Sequence, residues 1–258
     1  MTHKFIDDTT LMEIMQGNYL THMETFVNEF VQQAIQQNMK VNGGKTKEML
    51  IGPVAKNPPQ QLALGGAKVD RVDTFKLFGV HISWDLKWTK HMDAISTKAA
   101  SRLHFLKQLK RTGLLISDLL CFYAAIVCPV VEYACPVWHS SLTAAQSEKL
   151  ESLQRWVLQI IYDDSKYSNY NMLLVLAKIK SLKDRREDLI AQFFKKRVLP
   201  TNSLLNYLLP PKCDTELTDK LRNAKLYQPE KSHTDRFRKS FIPCSLAVYQ
   251  QFYSFYLS

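Results

Sequence analysis

Beyond Trp84 the apolar residues stop alternating and recur every three or four positions, a spacing that persists to Val198. A change of period from two to 3.6 divides a chain into a strand-bearing part and a helical part. Before the change, short apolar runs at 5–6, 11–14, 45–52, 67–72 and 75–82 read as strands, and the spacing of 19–37 predicts one helix among them. After it, 87–110 reads as a helix with Ile95, Ala99, Leu103, Leu106 and Leu109 inward. Ser117 is placed to cap a second helix, which runs to about Trp138 with a kink at Pro129. Helices over 143–162 and 172–179 follow, and Ser181 with Asp184 opens another that runs to about 198. Pro210, Pro211, Pro229 and Pro243 punctuate the remainder, which predicts little regular structure.

The expectation is therefore an α+β protein. A partial antiparallel sheet with a packed helix occupies 1–82, an all-helical bundle 83–200, and a loosely structured basic tail 201–258. A hydrophobic share of 46 % is ample for such cores. The longest apolar run, 119–131, holds Pro129 and stops at Glu132, too short to span a bilayer. The N-terminal residues carry Asp7 and Asp8 in place of an apolar leader, so the chain reads as intracellular, in nucleus or cytoplasm, without a membrane partner. Cys121, Cys128 and Cys135 recur every seven residues inside apolar surroundings, a spacing that suits packing thiols better than metal ligands.

Asp7 and Asp8 follow Phe5-Ile6 directly, where a hairpin turn is expected. Aspartate is common in turns for conformational reasons. Two adjacent carboxylates also form a hard oxygen pair that suits Mg²⁺, and paired magnesium ions serve phosphoryl transfer. The stretch "FIDD" (5–8) resembles the aromatic-x-Asp-Asp box of reverse transcriptases. "NGGKTKEMLI" (42–51), "FKLFGVHISWDLKWTKHM" (75–92), "KAASRLHFLKQLKR" (98–111), "FYAAIVCPVVEYACPVW" (122–138), "LESLQRWVLQIIY" (150–162), "SLKDRREDLIAQFF" (181–194) and "SFIP" (240–243) follow in an order similar to LINE-type, jockey- or CR1-like polymerases.

That resemblance implies the end of a palm over 1–82 and a thumb with its connection over 83–200. Asp7 and Asp8 would be metal-site positions, with Mg²⁺ held only in a complete polymerase, because the first acid box and the fingers have no room before Lys4. Lys45 would belong to the palm, and Phe78-Gly79 to a hairpin tip that meets a template–primer duplex of RNA and DNA. The isolated chain would bind that duplex without extending a primer.

Charge points the same way without naming a family. The net charge is +10 and the pI about 9.3, which favours polyanionic partners. Lys87, Lys90, Lys98, Arg102, Lys107, Lys110 and Arg111 share one helix, and Lys183, Arg185 and Arg186 cluster near Lys178 and Lys180. A third run lies within 220–239. Charged helix faces are often merely solvated, and phosphate contacts are the functional alternative. The aromatics Phe105, Phe122, Tyr123, Tyr133, Trp138, Trp156, Phe193 and Phe194 fall at helical spacings and read as core.

The stretch around "FGVHISWDLKWTKH" and "RLHFLKQLKR" also resembles the short N-terminal segment of the eighth AlkB homologue, an RNA-modifying protein. This resemblance implies either an iron-dependent oxidoreductase or a methyltransferase setting. An iron site of that kind needs His-x-Asp and a distant His on a β-helix. His91-Met92-Asp93 and His233-Thr234-Asp235 satisfy the letters, on a helix and in a tail. Gly43-Gly44 and Gly65-Gly66 are too sparse for a methyl-donor loop. A helical interaction domain is the third reading.

Overall fold

A computed structural model of the chain describes residues 2–5, 8–15, 21–163, 169–213, 226–228 and 234–256. They fall into two compact units, Met1–His91 and Met92–Ser258. The division lies at His91, beyond the expected boundary at 82, and residues after 200 belong to the second unit.

The first unit mixes one helix with four separate two-stranded pairings. β1 (Thr2–Phe5) pairs antiparallel with β2 (Asp8–Leu11), Phe5 opposite Asp8. β3 (Lys47–Glu48) runs parallel to β6 (Asp70–Arg71), while β4 (Ala63–Leu64) pairs antiparallel with β5 (Ala67–Lys68). β7 (Thr74–Leu77) and β8 (Val80–Ser83) form the last hairpin. The single antiparallel sheet expected over 1–82 is thus corrected among the described residues. Backbone chemistry explains the fragmentation. Gly52 at φ 86° ends the apolar run 49–51, and a 3₁₀ turn over Pro53–Lys56 follows it directly. Gly65 and Gly66, at φ 59° and 82°, close one tight hairpin, and Phe78 and Gly79, at φ 46° and 85°, close another. Two successive positive φ values are the mark of the turn that best matches strand twist.

The parallel pair is short but electrostatically fastened. Arg71 meets the buried Glu48 in a fork, Nε to Oε2 at 2.9 Å and a terminal nitrogen to Oε1 at 3.2 Å. The next rung joins Lys47 to Asp70 at 2.6 Å. Helix α1 (Met23–Gln36) lies beside β4 and buries Ala34. It begins inside the 19–37 span, of which 19–20 lie outside the described residues.

In the second unit the helices form where the spacing placed them, with different ends. α2 (Thr89–Arg111) buries Met92, Ile95, Ala99, Leu103 and Leu106 along one side. Gly113 at φ 81° terminates it. α3 (Ile116–Phe122) starts after an extended Leu115, so Leu115 and not Ser117 occupies the cap position. A π turn over Tyr123–Val127 leads into α4 (Cys128–Glu132). The turn lies where Pro129 would drive its ring into the carbonyl of Ala125 in a regular helix. The true break comes later, at Ala134 with φ 51°, just before Pro136. Residues Ile116–Glu132 and Cys135–Ser141 are bent by 41° there. Trp138 of α5 (Cys135–Trp138) sends its indole N–H to the freed carbonyl of Tyr133 at 3.0 Å. Cys128 and Cys135 are buried and Cys121 is exposed, so the seven-residue repeat does not keep one face across the π turn.

α6 (Ala144–Tyr162) opens on a reciprocal cap: the Gln146 N–H donates to Thr143 Oγ1 at 3.2 Å, and Gln146 Oε1 accepts from the Thr143 N–H at 3.0 Å. Its buried stripe is Leu150, Gln154, Val157, Leu158 and Ile161. α7 (Tyr170–Ala177) packs Leu173 and Ala177 against Leu158. α8 (Leu182–Phe193), capped by Ser181, continues as a π turn over Phe194–Val198. Residues after 200 are more regular than their prolines suggested. α9 (Asp235–Arg238) precedes α10 (Phe241–Tyr256), whose Leu246 joins Phe194, Val198 and Tyr227 in a core. Pro243 lies in the first turn of α10, where the missing N–H costs nothing. No single described helix is long and apolar enough to cross a membrane.

The cap on α6 generates a stability test. Thr143→Ala removes the side-chain acceptor and should cost about 1 kcal/mol. Urea denaturation should show the midpoint falling with the slope unchanged. An unshifted midpoint would mean the cap contributes nothing.

Candidate nucleic-acid interface

The expected acid pair falls partly outside the described residues. Asp7 lies outside the described residues, and Asp8 is an exposed residue at the start of β2. Among the described residues no group of three or more His, Cys, Asp or Glu is placed to hold a metal ion. The His91-Met92-Asp93 pattern fails on geometry. His91 is fully buried, 6.2 Å from the Trp88 ring and tilted against His81, whereas Asp93 is exposed and pairs with Lys149 at 2.7 Å. His233 lies outside the described residues. Gly65-Gly66 is a hairpin turn and no cofactor loop.

The basic residues divide sharply by role. Lys45 is an exposed residue whose backbone N–H is held by Asn42 Oδ1 at 3.1 Å. Phe78, 47 % exposed, and Gly79 form a hairpin tip as expected. Lys87 stands 3.5 Å from Asp85, and Lys90 and Lys98 are exposed without an ion pair to any described residue. Arg102 is half-buried beside the core face of α2. The seven cations therefore do not form one stripe. A rotation of roughly 100° per residue scatters them around the helix.

Arg185 and Arg186, expected at a phosphate surface, are structural instead. Arg185 forks onto Glu132 of α4, Nε to Oε1 at 2.5 Å and a terminal nitrogen to Oε2 at 3.1 Å, and this partner raises its pKa. Arg186 is fully buried. Its Nε donates to His139 Nδ1 at 3.1 Å, a terminal nitrogen lies 3.6 Å from Glu151, and the guanidinium sits 5.9 Å from the Trp138 ring centre. Burial lowers its pKa. Tyr170 places its hydroxyl 2.7 Å from Glu151 Oε2 and 2.5 Å from Gln154 Oε1, and burial with the Glu151 contact raises its pKa. Gln154 is satisfied at both ends, accepting from the Leu182 N–H and donating to the Lys180 carbonyl. Lys183 is exposed, 3.9 Å from Glu187, and Lys180 pairs with Asp188.

Three cations do converge. Lys107, Lys110 and Arg111, from the last turns of α2, line an open basin of about 390 Å³ with Ile160 and Asp163 at the end of α6. Lys110 donates to the carbonyls of Ile160 and Ile161 and pairs with Asp163 at 2.5 Å. A lysine there complements the negative end of the α6 dipole. Lys107 lies 4.6 Å above the ring of Trp156, and Arg111 is exposed without an ion pair to any described residue. Trp156 is 43 % exposed and Phe105 52 %, which corrects their assignment to the core, as does the exposure of Tyr133 and Phe193.

Two features escaped the sequence reading. Trp156 adjoins Val157 on the buried stripe, and spacing alone does not separate neighbours on a helix edge. Lys195, Lys196 and Arg197 are exposed on the π turn after α8. Three consecutive cations were the available signal for them.

A family model for the N-terminal segment of alkylated DNA repair protein alkB homolog 8 matches residues 88–127. The match spans α2, the Gly113 turn and α3 with its π turn, well under half of the chain. No curated protein and no solved structure matches. These findings overturn the reverse-transcriptase resemblance: the ordered series of short stretches finds no counterpart among them, whereas the AlkB-homologue stretch does.

The buried cluster generates two tests. Arg186→Ala strands Glu151 without its cation and should cost about 3–5 kcal/mol, the range for breaking a buried pair. Unfolding by denaturant measures it, and a loss under about 1 kcal/mol would place Arg186 outside the cluster. The second test is a pH profile. Burial pushes His91 and His139 down to about 4, helped by His81 and by Arg186 respectively, from an ordinary value of 6.5. Between those values the unfolded chain binds more protons than the folded one, so stability should fall as pH drops from about 6.5 to about 4. A denaturation midpoint that stays level through that window would show that both rings take up protons in place.

Proposed function

We propose that the second unit is a binding module for nucleic-acid backbone, without chemistry of its own, built on a helical pair related to the N-terminal segment of alkB homolog 8. The convergence of Lys107, Lys110 and Arg111 on one open basin carries this reading. Four other cations of the expected interface are engaged elsewhere: Arg185 and Arg186 hold helices together, and Lys87 and Lys183 have carboxylate partners. Among the described residues Arg111 has no ion pair, and Lys107 lies against an exposed ring, a contact worth about 0.5–1 kcal/mol. Phosphate would displace that contact readily. The matched family is described as a DNA repair protein, a setting in which backbone phosphates are the abundant anion. Phosphate contacts position a strand without reading its sequence.

The test is anisotropy of a labelled oligonucleotide against ionic strength. Wild-type binding should weaken steeply with salt. Lys107→Glu with Arg111→Glu should weaken it at least roughly tenfold and flatten the log–log slope by about 0.7–0.9 per lost phosphate contact. Binding that ignores both salt and the double substitution would refute the assignment.

A further inference from the structure

Beside the basin lies an aromatic ring that phosphate recognition does not need: Lys107, which lines the basin, lies over Trp156. Trp156 stands 43 % exposed on α6, one turn before Ile160, with the Lys107 ammonium 4.6 Å from its ring centre. By contrast Trp138 of α5 is fully buried and hydrogen-bonded, and Trp88 is nearly buried. An indole left this open beside three cations exposes apolar surface that a polar side chain at the same position would not. Its surroundings match the chemistry of one unpaired nucleotide, a flat π face flanked by donors for the adjoining phosphates.

We infer that Trp156 is a stacking platform for an unpaired base, so that the module prefers single-stranded nucleic acid over duplex. The inference rests on the backbone-binding reading and goes beyond it by naming the strand state. In the free protein Lys107 covers the ring as a cation. When a base takes its place, the ammonium moves a few ångströms to the neighbouring phosphate, where Arg111 supplies a second donor. Lys110 stays on the α6 carbonyls and Asp163, which keeps the platform and the cations in register. Paired bases keep their faces inside the stack, so a duplex offers this site only its phosphates. Asp163 also lines the basin, paired with Lys110, and its carboxylate disfavours a phosphate at that point.

Three probes separate the contributions: a single-stranded oligothymidylate of about ten nucleotides, within known site sizes; an abasic strand of equal length; and a hairpin duplex of equal charge. The oligothymidylate should bind more tightly than the abasic strand by roughly five- to a hundredfold, the range one base–aromatic stack supports. It should quench tryptophan emission, and the abasic strand should not. Trp156→Phe should abolish the quenching while keeping most affinity, and Trp156→Leu should reduce oligothymidylate binding to the abasic level. Melting curves of both variants establish that they fold. If the variants misfold, the quenching and the abasic comparison on the wild-type chain decide. Equal binding of oligothymidylate and abasic strand, without quenching, overturns the platform and leaves backbone binding standing. Failure of all three probes to bind at low salt overturns the backbone reading itself.

Discussion

The helical unit depends on one buried cation. Arg186 reaches from α8 to His139 beyond α5 and to Glu151 on α6, under the face of Trp138. Taking a guanidinium out of water costs several kcal/mol unless its partners are in place. Each partner comes from a different segment, so the cation is tolerated only when those segments meet in one arrangement. The neighbouring polar groups are tied into the same point: Tyr170 brings α7 to Glu151, and Gln154 holds the chain between α7 and α8 by the Lys180 carbonyl and the Leu182 N–H. Arg185 adds α4 through Glu132.

Much of the local structure was legible. The inward face of α2, the opening of α8 at Ser181, and the hairpin tip at Phe78-Gly79 all follow from patterns short enough for a sequence to display. What stayed hidden was nonlocal or positional. The parallel pairing of Lys47–Glu48 with Asp70–Arg71 joins segments 23 residues apart, and two-residue strands carry no alternation to reveal it. Pro243 reads as a breaker until its place in the first turn of α10 is known. Pro129 was expected to kink its helix, yet the π turn before it absorbs the misfit, and the break falls at Ala134.

The candidate site was legible in part for the same reason. Lys107, Lys110 and Arg111 stood out as cations, but so did Arg185 and Arg186, whose role is opposite. A run such as Lys183 to Arg186 looks uniformly solvated until a carboxylate elsewhere in the chain claims one member. Adjacent arginines on a helix point about 100° apart, so only one of them meets Glu151 and the other meets Glu132. Trp156 was hidden by its neighbour Val157. The order of short stretches across the chain suggested a polymerase, yet 98–111, 122–138, 150–162 and 181–194 among them are largely helix faces with a common apolar spacing. The segment that a family model does match is the one with a Gly-terminated helix pair, a less generic arrangement.

A net charge of +10 therefore says little about where an anion binds. Charge that is paired within the fold is no longer available to a ligand, and the pairing follows tertiary contacts that composition does not contain. The basin at the ends of α2 and α6 differs because Lys110 is paired, while Lys107 and Arg111 have no carboxylate partner among the described residues. Lys110 joins the last turn of α2 to the terminal carbonyls of α6, and this fixes Lys107 and Arg111 relative to Trp156 before any ligand arrives. Binding groups fixed in advance lose less freedom on association. The lysine that neutralises the end of α6 thus stands within one helical turn of the two cations beside it.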